Sequence, residues 1–175
     1  MRIITGLALI LMAAIALAKQ SAVKPVPQAA PQFSPNPTNL FMSASQVSDL
    51  IEKAKRDRKP DQANVLEPIL ELGGYDGHLE YRASVGNATL HETEVELFYV
   101  IDGSATLTTG GKLVNEKRTD AANLNGSAIE GGTKRNIAKG DWILVPQNTP
   151  HWFNPINGVL VLFSMHSPDE FTPKH

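Results

Sequence analysis

Apolar and polar positions change rhythm twice along this chain. Residues 1–18, MRIITGLALILMAAIALA, run almost unbroken through apolar and small side chains after one early charge at Arg2. Residues 19–42 lose that character, and Pro25, Pro27, Pro31, Pro35 and Pro37 stand among Gln, Ser, Ala and Asn. From 43 to 60 apolar residues recur at helical spacing, with Val47, Leu50, Ile51 and Ala54 on one face. Ser43 and Gln46 carry the signature of a capping box and Pro60 ends the run, so a helix is predicted from Ser43 to Lys59. Its stripe calls for a sheet to cover. Its basic end (Lys53, Lys55, Arg56, Arg58, Lys59) suits the negative pole of the helix dipole and reads as a solvated face.

Beyond residue 61 the period shortens. VLEPILEL, HLEYRASV, VELFYVI, SATLTT, WILVP and VLVLFSM are strand-length apolar runs separated by Gly and Asn. This pattern predicts an antiparallel barrel or sandwich over 61–170. Asp102-Gly103 supplies a turn signal at the end of one run. The polar stretch 115–127, NEKRTDAANLNGS, reads as a hairpin excursion or a rim loop. No repeat at solenoid spacing is present.

Composition narrows the classes. With 175 residues and 42% of them apolar, one compact domain is expected after the first 42 residues. The 16 basic residues do not exceed the 18 acidic ones, which argues against phosphate neutralisation and so against nucleic acid. Residues 1–18 have the form of a secretory signal peptide with an A-x-A cleavage site ending at Ala18, and are shorter than the roughly 20 residues a spanning helix needs. The expectation is an exported protein, periplasmic or secreted, free of the membrane once cleaved, with 19–42 as an extended linker.

Cysteine is absent, which excludes disulfides, thiolate metal sites and a cysteine nucleophile. Metal chemistry then falls to His, Asp and Glu, and His78, His91, His151 and His166 are the histidines within the strand-rich region. His91 precedes Glu96 by five residues, and Glu96 precedes Gly103 by seven; in GDWILVPQNTPHWFN stand Gly140, Pro146, Asn148, His151 and Asn154. Alternation puts Thr89 and His91 on one strand face, and likewise Glu96, Phe98 and Val100. Should the strands bearing His91, Glu96 and His151 line one interior, two imidazoles and a carboxylate form a three-point metal site with open positions. Thr89, Phe98, Trp152 and His166 are candidates for the surrounding pocket. His166 shares a face with Leu160, Leu162 and Ser164, and either lines the interior or stands exposed at a strand end; Trp152 either walls a pocket or packs.

These two stretches resemble the paired motifs of the cupin superfamily, G(X)5HXH(X)3-4E(X)6G and G(X)5PXG(X)2H(X)3N. His91, Glu96 and Gly103 match the first, while Thr89 stands where the first histidine belongs and Ala83 where the leading glycine belongs. Gly140, Pro146 and His151 match the second; Asn148 replaces its glycine, as a residue that tolerates positive φ, and Asn154 falls one residue early. The resemblance implies an all-β fold, a cupin-type antiparallel β-barrel (jelly roll) with the one N-terminal helix outside, paired as a homodimer. It also implies a divalent metal (Fe, Mn, Zn, Ni or Cu) on His91, Glu96 and His151, and a small-molecule substrate or ligand. Oxygenation, decarboxylation and isomerisation all occur in such barrels. The alternative is a non-catalytic, sugar-like small-ligand binder with a degenerate metal site, which the loss of a ligand at Thr89 favours. A storage role is disfavoured by the single-barrel length.

Overall fold

The helix predicted between Ser43 and Lys59 forms as α1 (Ala44–Asp57), capped as its sequence requires. Ser43 Oγ accepts from the Gln46 backbone N–H at 3.3 Å, and Gln46 Oε1 accepts from the Ser43 N–H at 2.9 Å. Two donors with no partner inside the helix are thereby satisfied. This computed structural model describes residues 40–72 and 75–167; the expected signal segment 1–18 and the linker as far as residue 39 lie outside the described residues.

Thirteen strands follow among the described residues: β1 (Asn64–Leu72), β2 (Tyr75–Arg82), β3 (Ala88–His91), β4 (Glu96–Asp102), β5 (Ser104–Thr109), β6 (Lys112–Val114), β7 (Lys117–Arg118), β8 (Asn123–Gly126), β9 (Ala128–Glu130), β10 (Thr133–Ala138), β11 (Trp142–Val145), β12 (His151–Ile156) and β13 (Leu160–His166). One sheet has the order β1-β2-β13-β4-β11, a second β10-β5-β12-β3-β8-β7, and β6 pairs with β9. Every pairing is antiparallel. This is the jelly-roll arrangement that the motif resemblance implies, with one helix outside it. It differs from the expected barrel in one respect: among the described residues no hydrogen-bonded strand pair joins the two large sheets, so they form a sandwich closed by side-chain packing and not by a continuous ladder.

Alternation divides each strand of the first sheet between two cores. On β2, Leu79 and Tyr81 face outward with Val161 of β13 and pack beneath Ala54, Val47, Leu50 and Ile51 of α1. The helix stripe thus finds its sheet, and an ion pair between Lys53 and Glu67 ties α1 to β1. Facing inward are Phe98 and Val100 of β4 with Leu160 and Leu162 of β13, which meet Ala105, Leu107 and Phe153 from the second sheet. These inner side chains are almost wholly withdrawn from water. Burial of a large apolar side chain contributes about 1.5–3 kcal/mol, so this layer holds the sheets together.

Two turns place the motifs. Gly103 sits at φ 84° between β4 and β5, where a Cβ would lie 2.0 Å from the Val159 carbonyl oxygen. Asn148 adopts φ 56°, and its N–H donates to the His91 carbonyl at 2.6 Å, which joins the loop before β12 to the end of β3. The polar stretch 115–127 resolves as a hairpin excursion: β7 pairs with β8, and β8 pairs with β3, bringing Asn123 opposite His91.

Candidate metal centre

Glu96 opens β4 and points into the sandwich, where it is 3% exposed. Cross-strand register brings His166 opposite it on β13, and β12 brings His151 opposite Thr89 on β3, two residues from His91. Three strands from both sheets therefore surround one carboxylate. His151 Nε2 lies 3.1 Å from Glu96 Oε2, His91 Nε2 3.4 Å from the same oxygen, and His166 Nε2 3.2 Å from Oε1. Donor atoms of His91, Glu96 and His166 all lie within 4.8 Å of one another; His151 falls outside that group and meets it only at Glu96 Oε2.

The opposite ring nitrogens are held just as consistently. His91 Nδ1 meets Asn123 Oδ1 at 2.5 Å, His166 Nδ1 meets Glu94 Oε2 at 2.9 Å, and His151 Nδ1 faces the Thr149 carbonyl at 3.4 Å. Asn123 is itself oriented, since its Nδ2 donates to both Asp120 oxygens at 2.9 Å, leaving Oδ1 to face the imidazole. An acceptor at Nδ1 places the proton there and leaves the lone pair on Nε2. Three Nε2 atoms then aim at one carboxylate, positioned to share protons with it or to offer lone pairs to a cation.

That arrangement needs positive charge at its centre. Burial works against ionised Glu96, yet the imidazoles of His151, His166 and His91 outweigh it and hold the carboxyl well below its usual range. Burial likewise works against a charged His166, but Glu96 and Glu94 prevail and raise it to about 9. Burial also works against a charged His91, yet Glu96 and Asn123 outweigh it and the neighbouring His166, so His91 is raised too. Glu96 Oε2 is nonetheless buried with no hydrogen-bond partner of good geometry, which is costly unless a cation meets it.

A divalent ion fits this donor set. Two ligand atoms each about 2.1 Å from an ion, and separated by octahedral or tetrahedral angles, lie roughly 3.0–3.4 Å apart, the spacing seen between Glu96 and the three imidazoles. Nitrogen and carboxylate donors without sulfur suit Zn, Fe, Mn, Ni or Cu and do not choose among them.

The expected residues fare differently. His91, Glu96 and His151 converge. His166, expected as a pocket wall, instead stands with His91 and Glu96 in the group of donors close enough to share an ion, a place the sequence gives to His151; the run VLVLFSMH shows its face but not that Glu96 lies opposite. Phe98 is fully buried beneath the site, edge-on to His151 at 5.9 Å and to Phe153 at 5.2 Å, because it lies one alternation deeper than Glu96. Alternation turns Trp152 away from His151, and its indole N–H donates to the Gly86 carbonyl at 2.8 Å. Thr89 is half-buried and lines a neighbouring cavity. Nothing local marks Asn123, Asp120 and Glu94, polar residues in polar stretches whose partners lie up to 72 residues away.

No protein-family model matches the chain, and no curated protein matches it. Among solved structures, an iron(II) form of HppE in complex with substrate shares 13% identity over 63% of this chain and 53% of that one, at a TM-score of 0.46. Hydroxypropylphosphonic acid epoxidase from S. wedmorenis shares 12% over 63% and 58%, at 0.46. A candidate sugar phosphate isomerase from Acidithiobacillus ferrooxidans shares 18% over 74% and 76%, at 0.47. The chain thus spans about half the length of the HppE chain it matches. The likeness is one of architecture.

Proposed function

We propose that this protein binds one divalent metal ion through His91, Glu96, His151 and His166 and uses it to bind or transform a small molecule. The observation that carries this reading is the convergence of three imidazole Nε2 atoms on a single buried carboxylate, with each Nδ1 tied outward. His166 then stands in for the ligand absent at Thr89, and the donor count reaches four. A bound ion of this kind supplies Lewis acidity, polarising an oxygen of whatever molecule reaches it. The chain's own part is to hold the four donors. Asn123 and Glu94 keep the His91 and His166 rings turned toward the centre, while Phe98 fills the space beneath His151 and excludes water from that side.

We further infer export after cleavage at Ala18, which the composition of 1–18 supports, and pairing into a homodimer, which the family resemblance supports. Metal analysis tests the central claim. Protein purified without added metal is expected to carry one equivalent of a divalent ion, lost on Glu96→Gln and strongly reduced on His91→Ala, His151→Ala or His166→Ala. Undiminished occupancy in the His91 and His151 variants refutes the ligand assignment.

A further inference from the structure

Beside the metal centre the space between the sheets stays open. Antiparallel partners point to the same side of a sheet, so Leu66 shares the inner face with its partner Glu80, and Asn64 with Arg82. Leu66 is nevertheless 56% exposed, an inward-facing apolar side chain that the opposite sheet does not cover. The ends of these strands help line a cavity of about 480 Å³, with Asn64, Arg82, Gly86, Asn87, Thr89 and Asn125 among its walls. Thr89 and Asn125 are cross-strand partners, one alternation along β3 and β8 from the partners His91 and Asn123. Cavity and metal centre therefore share the same strand faces, a step of roughly 7 Å apart along β3.

We propose that this cavity holds the small molecule presented to the metal, and that the molecule is an uncharged polyhydroxylated compound; the link to chemistry rests on the metal reading above, the binding itself does not. Charge argues first. Glu80 is almost fully buried and takes Arg82 through Nε and Nη2, both at 2.6 Å from Oε2, so the guanidinium brings no net charge and a purely anionic ligand gains little. Hydrogen bonding argues next. Asn64 Nδ2 faces Glu80 Oε2 at 3.5 Å, which orients the amide and leaves its buried Oδ1 without a partner. The remaining guanidinium N–H groups of Arg82 require an acceptor, and the Asn87 and Asn125 amides that line the cavity offer both donor and acceptor. A hydroxyl is both. Asn87, Asn125 and Thr89 present the same pairing of donor and acceptor. A second cavity of about 530 Å³ shares Asn87 and Asn125 and adds Asn115, Ser127 and Lys117, which extends the amide-lined surface outward.

Side-chain amide resonances of the metal-loaded full chain, titrated separately with D-glucitol, D-gluconate and acetate, test the assignment. Glucitol is expected to move the Asn64, Asn87 and Asn125 signals, and Asn125→Leu and the exposed-site variant Asn87→Leu to weaken its binding by about tenfold with metal content unchanged. Acetate should move none of them. Still amides under millimolar glucitol, or movement with gluconate and acetate only, overturn the polyol assignment while leaving the metal reading intact. A wild-type chain that binds no metal refutes that reading instead, and the glucitol titration of the same sample still decides this one.

Discussion

Replacing Asn123 by leucine removes no donor to the ion, yet it is expected to weaken metal binding by about 10–100-fold, the usual consequence of losing an outer hydrogen bond that orients a ligating histidine. Asn123 Oδ1 takes the His91 Nδ1 proton at 2.5 Å and owes its orientation to Asp120, which binds Nδ2 through both oxygens and the backbone N–H groups of Ala122 and Asn123 at 3.0 Å. Leucine is close in volume, so the half-buried site stays filled while the acceptor is lost. The His91 ring is then free to rotate and to carry its proton on Nε2, where the ion needs a lone pair. A tenfold loss corresponds to about 1.4 kcal/mol and a hundredfold loss to about 2.7, which brackets one charge-assisted hydrogen bond. Asp120→Ala acts through the same contact, so the double variant should lose much less than the sum of the singles. Competition with a chromophoric chelator measures the affinity, and denaturant unfolding of the metal-free protein checks the fold. Affinity unchanged within threefold in Asn123→Leu refutes the orienting role, and additive losses refute the relay from Asp120.

Two further outcomes follow from the buried layer around the site. Glu96 is lowered in the folded state, so its stabilisation is present above its ordinary value of 4.5 and lost as pH falls below it. His166 is raised to about 9, so its stabilisation is complete below 6.5 and lost as pH rises through 9. Chelator-treated protein should thus be most stable between these two ordinary values and weaken on both sides, and a denaturation midpoint that climbs from pH 7 to 9 contradicts the His166 contact. Phe98→Ala empties the position beneath His151 and should destabilise by about 3–5 kcal/mol, with a lower urea midpoint and weaker metal binding together; a loss under 1 kcal/mol argues against its place in the core.

What could be read from the sequence was whatever local chemistry repeats or punctuates. The helix was legible because its cap, stripe and terminating proline lie within one stretch, and its observed bounds, Ala44–Asp57, fall inside the predicted run. Strands were legible from alternation, and the motif spacing singled out His91, Glu96 and His151 because turns such as Gly103 and Asn148 leave a signature in residue type. Tertiary structure alone decided the rest. His166 faces Glu96 through a pairing between β4 and β13, Glu94 reaches it from 72 residues away, and Asn123 meets His91 only because β8 joins the sheet beside β3. Phe98 shares its strand face with Glu96, and only the packed sandwich decides that it lies beneath His151. Periodicity specifies which face a side chain occupies, but the register of strands far apart in the chain specifies what it meets there, and that register is set by the whole packed core.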